Sequence, residues 1–227
     1  MVEFCIVALP LLFVGFAAIE SARWMLVRQA VGYALLEAGR AGSVAGASPV
    51  AVRAAFERAL APLHVRAGAP LRADGAAAAV REAARRFRLR YGLPLARLEI
   101  LSPDARSFDD FADPWLAAEL GAGRRVINQA YQAEQNAQRG GPGPRSGGTI
   151  HDANTLLLRA TYLQAPVLPG LRALVRQLPA PAGDAYLAAA RSGPGLLAIV
   201  RTIAVAMQSH PQEYPGQNAP IMLGAPE

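Results

Sequence analysis

The chain has 227 residues, of which 52% are hydrophobic, and its 23 basic and 17 acidic residues give a formal net charge of +6. This length predicts one domain with an appended segment, and the single cysteine, Cys5, excludes an intramolecular disulfide. All the basic residues are arginines, and their excess favours an anionic partner or a membrane surface without identifying either.

An apolar run at the N-terminus predicts a transmembrane helix. Phe4 to Ile19 contains no charged residue, and this stretch with one flanking turn reaches the roughly 30 Å of a hydrocarbon core. Pro10 removes one backbone hydrogen bond and should bend the helix, which membrane helices tolerate. We do not expect a secretory signal peptide, which needs a basic region ahead of its apolar run. A buried helix of a soluble protein is the alternative.

The helix is expected to continue beyond the apolar run as an amphipathic segment. Apolar and small residues recur there at spacings of three and four, which places them on one helical face. These residues are Trp24, Val27, Val31, Leu35, Ala38 and Gly42. We predict an N-terminal unit of residues 1–46, transmembrane over about 4–22 and amphipathic over about 23–45. Trp24, Val27, Val31 and Leu35 are expected to pack the helix against the domain.

Glu3 stands at the front of the apolar run, where an ionised carboxylate is unfavourable. Its insertion costs about 2.5–3.5 kcal/mol at the centre of a membrane helix and less at an end. The helix dipole offsets about 0.3–1 kcal/mol of this cost. Two interpretations stay open on these grounds: Glu3 lies in the headgroup layer, or it pairs with a cation such as the α-amino group of a neighbouring subunit.

The chain after residue 46 is expected to form a small α+β domain with an antiparallel sheet over residues 47–209. Ser48 followed by Pro49 is typical of a helix start, and Asp74 is expected to cap a second helix. The predicted helices span residues 49–60, 76–91, 168–178 and 184–191, with part of 115–137 also helical. The predicted strands span residues 95–101, 154–163 and 196–208.

Apolar residues alternate in two strands, which places them on one side of the first strand, and in the second strand we expect them to face inward. These residues are Leu156, Leu158, Ala160 and Tyr162 in one strand and Ile199, Ile203, Val205 and Met207 in the other, with Arg201 as an exception. Three segments are expected to lack regular structure. They are a loop over residues 103–113, a flexible connection over residues 139–148 and a flexible tail over residues 210–227.

The polar residues do not form a convincing catalytic or metal site. His151 and Asp152 are sequence neighbours, and neighbours on an extended segment point apart, so a turn cap is favoured over a catalytic pair in a hydrolase. Asp109, Asp110 and Asp113 lack the spacing of an EF-hand, so a solvated acidic loop is favoured over a calcium site. We expect no enzyme activity, no metal and no cofactor.

Three stretches together resemble TadE-like minor pilins (pseudopilins) of tight adherence (Tad/Flp) pilus systems, which are relatives of type IV pilins. The first is V-E-F followed by an apolar run with L-P-L-L, and Glu20 and Arg23 near the end of that run. The second is TIHDANTLLLRATYLQAPVLPG, and the third is AIVRTIAVAMQS. Residues 47–148 are covered only loosely by this resemblance.

The resemblance implies a structural pilus component whose N-terminal helix assembles with other subunits. Glu3 would neutralise the α-ammonium group of an adjacent subunit, and Phe4, Pro10, Glu20 and Arg23 would belong to the same contact surface. Family members carry a short basic leader that a prepilin peptidase removes on the cytoplasmic side. This implies a single-pass protein of the inner membrane with its domain in the periplasm, and later a place in the extracellular pilus.

The implied partners are other pilin and minor pilin subunits, the Tad inner-membrane assembly platform, membrane lipid and, if a leader precedes Met1, a prepilin peptidase. Nucleic acid is not expected in the periplasm. The arginine face of residues 76–91, formed by Arg81, Arg85 and Arg88, is therefore expected to meet solvent, anionic lipid headgroups or acidic patches of a neighbouring pilin. A signal-anchored periplasmic adaptor or binding protein unrelated to pili is the alternative function.

Overall fold

The structure, a computed structural model, describes the backbone of residues 2–65, 73–168, 170–179 and 181–224. Among these residues, the side chains of residues 2–7, 9, 73 and 74 lie outside the description. The predicted α+β fold is confirmed, because a long N-terminal helix is followed by a small domain with further helices and a four-stranded antiparallel sheet.

The elements are defined here in chain order. The helices are α1 (Val2–Val44), α2 (Pro49–Leu60), α3 (Ala73–Tyr91), α4 (Ala105–Phe111), α5 (Pro114–Glu119), α6 (Gln132–Arg139), α7 (Ile150–Ala153), α8 (Leu171–Gln177) and α9 (Ala185–Ser192). The strands are β1 (Ala96–Ser102), β2 (Thr155–Gln164), β3 (Leu197–Ala206) and β4 (Ile221–Leu223). A short 3-10 turn, Ala61–Leu63, follows α2. In the sheet the strands lie in the order β3-β2-β1-β4.

Helix α1 consists of two halves that differ in burial. It has 43 residues, so it is about 65 Å long at about 1.5 Å per residue, and it continues through Pro10. No residue from Pro10 to Ile19 is buried. The second half contributes four fully buried residues to the main core, which are Val31, Ala34, Leu35 and Ala38. The first half of α1 therefore projects from the domain, and the second half is part of its core.

Glycines let the second half of α1 approach the sheet closely. A Cβ atom at Gly42 would lie 2.7 Å from Leu156 of β2 and 2.7 Å from Val52 of α2. A Cβ atom at Gly39 would lie 2.8 Å from Val205 of β3. Real Cβ atoms do not come this close to other carbons, so larger residues would push the helix away from its neighbours.

The four apolar residues predicted to share one side of β2 are all buried, and they are Leu156, Leu158, Ala160 and Tyr162. β2 pairs with β3 over ten residues, from Thr155 opposite Ala206 to Gln164 opposite Leu197. Ile199 of β3 and Met207, the residue just after it, are buried, whereas Ile203 and Val205 of β3 are partly exposed. The exception Arg201 also faces α1, because its guanidinium lies beside the backbone of Gly32, where a glycine leaves space.

Two local predictions are wrong. Residues 103–113 were expected to form a loop but contain α4, because the Asp104 carboxylate accepts a hydrogen bond from the backbone N–H of Ser107 and caps a short helix. Asp74 was expected to cap the second domain helix, yet α3 already includes Ala73, so Asp74 lies within its first turn. α2 has the predicted ends, the other predicted helices are present with shifted ends, and Asp184 caps α9 through the N–H of Leu187.

The flexible tail predicted after His210 includes regular structure. Ile221–Leu223 forms β4, which pairs with β1 from Ala96 opposite Leu223 to Leu98 opposite Ile221. Gln212 forms an isolated bridge with Val126. Three apolar residues among prolines give no periodic pattern, so this strand arises from its pairing with the free edge of β1.

Residues 103–153, here called the distal lobe, have a small core of their own. It consists of Phe108, Phe111, Ile127, Ile150 and Ala153. The lobe lies near the C-terminal end of α1, because His210 accepts a hydrogen bond from Gln129 of the lobe and its own carbonyl lies close to Gly46. It is therefore at the end of the domain that is farthest from the projecting half of α1.

Candidate functional site

The projecting half of α1 exposes a continuous apolar surface. Six large hydrophobic side chains in it are at least half exposed, and they are Leu11, Leu12, Phe13, Val14, Phe16 and Ile19. Single exposed hydrophobic residues are ordinary on protein surfaces, but a contiguous apolar surface marks a membrane or protein contact. Residues 2–19 extend over about 27 Å at about 1.5 Å per residue, close to the roughly 30 Å of a hydrocarbon core.

Within the described residues, α1 is also the one helix that is long and apolar enough to cross a membrane. Its length and composition meet this requirement over Pro10–Val44. The burial of Val31 and Leu35 restricts any membrane segment to the N-terminal part of this range. An apolar helix of this kind indicates membrane anchoring.

The predicted subunit-contact residues are divided between the two halves of α1. Glu3 and Phe4 lie in its first turn, with side chains outside the description, and Pro10 is exposed in the projecting half. Glu20 and Arg23 lie where the helix meets the domain. The structure does not bring these five residues together into one patch, because they are distributed along five to six turns of a single helix.

Glu20 connects α1 to the segment that follows β2. Its carboxylate is buried and accepts hydrogen bonds from the backbone N–H groups of Val167, at 2.8 Å, and Leu168, at 3.2 Å. Arg23, one turn further along α1, lies 3.5 Å from the other carboxylate oxygen. Glu20 thus has an intramolecular role that was not predicted, in addition to any role in subunit contact.

The four residues expected to pack the helix against the domain all contact the main core. Val31 and Leu35 are buried, and Trp24 and Val27 are partly buried against the same cluster. The guanidinium of Arg28 lies 5.2 Å from the centre of the Trp24 ring, which adds a cation–π contact on the exposed side. The domain is therefore packed against α1 from Glu20 onward.

His151 and Asp152 have separate structural partners. Asp152 forms a capping box with Thr149 at the start of α7, and the hydrogen bonds from Thr149 lower the pKa of Asp152. The Nδ1 atom of His151 lies 3.0 Å from the side-chain oxygen of Gln132. The two side chains are not arranged as a base and its orienting acid.

The three acids at Asp109, Asp110 and Asp113 are each held by hydrogen bonds or ion pairs within the described part of the chain, and Arg145 contacts two of them. Asp109 pairs with Arg125 and Arg145, and these hydrogen bonds lower its pKa. Asp113 caps α5 through the N–H groups of residues 115 and 116. The described residues contain no group of three or more His, Cys, Asp or Glu side chains placed to hold a metal ion.

Asp110 organises the glycine-rich connection that was predicted to be flexible. Its carboxylate accepts hydrogen bonds from the backbone N–H groups of Arg145 and Ser146, at 3.1 Å and 2.7 Å, and from the Ser146 hydroxyl. Burial raises the pKa of Asp110, but the hydrogen bonds from Ser146 and Arg145 outweigh this effect and the pKa is lowered. Residues 140–148 lack helix and strand, as expected, yet their path is fixed by these bonds.

Sequence reasoning missed a basic cleft beside Glu20. A cavity of about 540 Å³ lies between α1, α3 and the end of β2, and Arg23, Arg86 and Arg90 line it together with Phe87 and Tyr91. The arginine face predicted on α3 was instead that of Arg81, Arg85 and Arg88. No sequence signal brings Arg23 next to α3, because the two helices are connected only through the tertiary fold.

The comparison with protein families gives one match, and it falls on the N-terminal helix. Residues 1–40, which include the projecting half of α1 and its junction with the domain, match the family model of TadE-like proteins. The N-terminal helix is TadE-like. The TadE-like family recognised from the sequence is therefore supported over these residues, and the minor pilin subtype is consistent with that family. No curated protein and no solved structure matches the chain.

The family comparison assigns a TadE-like N-terminus to the chain and extends no further. The matched residues end within the buried part of α1, before the sheet begins. The domain after residue 40 is therefore described by its own structure alone.

Proposed function

We propose that this chain is a minor pilin, or pseudopilin, that takes part in the assembly of a Tad-type pilus, as a priming or tip subunit. Before assembly, α1 holds it in the inner membrane as a single-pass protein with the domain in the periplasm. Its partners are other pilin and minor pilin subunits, the inner-membrane assembly platform and membrane lipid, with a prepilin peptidase if a leader precedes Met1.

The observation behind this proposal is the coincidence of the TadE-like match with the projecting half of α1. The TadE-like residues 1–40 include a helical stretch of about 27 Å whose described side chains, Ala8 and residues 10–19, are not buried in the domain. An exposed apolar helix in a protein needs a covering, which lipid supplies before assembly and neighbouring pilin helices supply afterwards. The same surface thereby supports both anchoring and subunit packing.

Glu3 is the residue on which assembly is proposed to depend. It lies at the N-terminal end of the projecting helix, about 25 Å along the axis from the domain junction at Glu20. In a low-dielectric bundle of helices an unpaired carboxylate is strongly disfavoured, and pairing with the α-ammonium group of a neighbour removes that penalty. The pairing therefore favours one axial offset between adjacent subunits.

The test is the Glu3→Ala variant produced in the native host. We expect it to remain in the inner membrane at normal levels, because removing a charge assists insertion, while assembled pili fall to a small fraction of the wild-type number. The matched control is Glu37→Ala, which removes a carboxylate from the domain-packed half of α1, where Glu37 pairs only with Arg40 in the described part of the chain. Pili should be normal in this control.

Electron microscopy of cell-surface pili, with membrane fractionation, measures both quantities. Normal piliation in the Glu3→Ala strain would contradict the pairing. Normal piliation after deletion of the whole gene would instead favour a signal-anchored periplasmic adaptor or binding protein unrelated to pili.

A further inference from the structure

The cleft beside Glu20 is open, basic and aromatic. Its volume is about 540 Å³, and its described lining includes three arginines, Arg23, Arg86 and Arg90, and no acidic side chain. Glu20 and Glu82 contact Arg23 and Arg86 from outside the lining. Within the described residues, Arg90 forms no ion pair with a carboxylate. The described part of the domain therefore leaves the positive charge of Arg90 in this cleft without a carboxylate partner.

The remaining polar groups of the cleft are neutral. Burial, and then the charge of Arg86, lower the pKa of His64, so its ring is uncharged at neutral pH. Burial raises the pKa of Tyr162 to about 12, so its hydroxyl also stays neutral. These two side chains lie 3.4 Å apart at their Nε2 and hydroxyl oxygen atoms. The charge of the cleft is thus set by its arginines.

The cleft is located where the helix enters the domain. Arg23 lies three residues after Glu20, about 4.5 Å further along the axis of α1. If the hydrocarbon core ends near Ile19, this position falls in the headgroup layer, which extends roughly 5–8 Å beyond the core on each side. Lipid phosphates are concentrated in that layer, so the three arginines are at the depth of phosphate groups.

The neighbouring surface also suits a membrane interface. The segment held by Glu20 precedes α8. Three apolar residues in or beside α8 are at least half exposed, and they are Val167, Leu174 and Leu178. α8 also contains Arg172 and Arg176. Exposed apolar side chains interspersed with arginines are typical of segments that lie on anionic bilayers.

From this combination we infer that the cleft between α1, α3 and the end of β2 binds the headgroup phosphate of an anionic phospholipid. The guanidinium groups of Arg23, Arg86 and Arg90 hold the phosphate through charge-assisted hydrogen bonds. The acyl chains extend along the exposed apolar side of α1 toward Ile19. The inference rests on membrane anchoring by α1, and it holds whether or not the protein assembles into a pilus.

The lipid would orient the domain on the bilayer. α1 alone leaves the domain free to rotate about the helix axis, and a second attachment at the cleft limits that rotation. The domain would then present a fixed side to neighbouring subunits before assembly.

The test compares lipid retention by full-length chains purified in mild detergent. Each chain is mixed with equal amounts of phosphatidylglycerol and phosphatidylethanolamine, and bound lipids are counted by native mass spectrometry. We expect the wild type to retain phosphatidylglycerol selectively. The R86Q/R90Q variant should lose that affinity by about 10- to 25-fold, since each basic residue near an anionic lipid contributes roughly fivefold. Both residues are exposed, so folding should be unaffected.

The matched control is R85Q/R106Q, which changes the net charge equally at exposed positions that do not line the cleft. It should retain phosphatidylglycerol as the wild type does. Equal losses in both variants would reduce the effect to overall charge and overturn the inference. Displacement of the lipid by inorganic phosphate at constant ionic strength would assign the site to a free phosphate and overturn it too.

Two further outcomes distinguish failure of lipid binding in the cleft from failure of membrane anchoring by α1. If R86Q/R90Q retained lipid as the wild type does but lost a co-purified acidic pilin, the ligand of the cleft would be a protein partner and not a lipid. Release of the wild-type chain from membranes by alkaline washing would contradict the anchoring itself, whereas a firmly inserted chain without lipid selectivity would contradict only the cleft.

Discussion

Glu20 joins the projecting half of α1 to the segment after β2, and Val31 and Leu35 hold the second half of α1 in the domain core. Val31 and Leu35 were expected to pack against the domain because of their helical spacing, and both are buried. Glu20 accepts hydrogen bonds from backbone N–H groups 147 and 148 residues away, and no pattern in the sequence contains that information. The resemblance to pilins identified Glu20 as notable but suggested only contact with other subunits.

The ion pair between Arg97 and Asp184 was missed for the same reason, and it gives a prediction with a defined pH dependence. Two hydrogen bonds from Arg97 reach the Asp184 carboxylate, and they lower the pKa of Asp184. Asp184→Asn keeps the cap of α9, because asparagine caps helices as well as aspartate does. We expect this variant to lower the free energy of unfolding by about 1–3 kcal/mol at pH 7.

The sign of the pH effect follows from the lowered pKa of Asp184. The pair stabilises the fold above the unfolded pKa of aspartate, near 3.9, and this stabilisation is lost as the pH falls through the folded value. The difference in the free energy of unfolding between wild type and variant should therefore narrow below about pH 4, as measured by urea unfolding in detergent at several pH values.

Asp104→Asn is the control, since Asp104 caps α4 through Ser107 without a described ion pair. This variant should change the free energy of unfolding by less than about 0.5 kcal/mol. A difference that is constant with pH would contradict the role of the charge.

At the level of helices and strands, length and periodicity decided what could be predicted. α1, α2 and β2 are long and have clear apolar patterns, and their positions agree with the prediction within a few residues. α4 and β4 have seven and three residues. Elements this short are stabilised by a single cap or by pairing with a neighbouring strand edge, so their own sequences give little signal.

The close packing of α1 against the sheet predicts a penalty for a larger residue at Gly42. Alanine is favoured over glycine within a helix by about 1 kcal/mol. At Gly42, however, the new methyl group would lie 2.7 Å from both Leu156 and Val52, and such overpacking costs about 1–3 kcal/mol. We therefore expect Gly42→Ala to lower the free energy of unfolding by up to about 2 kcal/mol, measured by thermal unfolding with circular dichroism.

Gly15→Ala is the matched substitution in the projecting half of the same helix, where no atom lies within 4 Å of the new methyl group. It should leave the unfolding temperature of the domain unchanged or slightly raised. Equal behaviour of the two variants would show that α1 is not held tightly against β2 and α2.

At the scale of the whole molecule, one helix serves two purposes. The first half of α1 provides the membrane segment and its second half is part of the domain core. The apolar composition of the first twenty residues predicted the membrane segment, and helical spacing predicted the packed half. The position of the change between them, at Glu20, follows from tertiary contacts with residues 167 and 168. Because α1 is continuous across this point, a displacement of the membrane segment along its axis must move the domain with it.

This division predicts that the domain folds without the projecting half. No described side chain between Ala8 and Ile19 is buried, so a chain that begins at Glu20 after an initiating methionine keeps every described core residue. We expect it to remain in solution without detergent, with an unfolding temperature within a few degrees of that of the full chain.

A chain that begins at residue 36 is the contrasting case, because it loses Val31, Ala34 and Leu35 from the core. Each truncation of a buried aliphatic side chain costs about 2–5 kcal/mol, which together approaches or exceeds the total stability of a small domain, so this shorter chain should not fold. Circular dichroism and size-exclusion chromatography distinguish the two chains, and aggregation of the chain that begins at Glu20 would mean that the projecting half is needed by the domain as well as by the membrane.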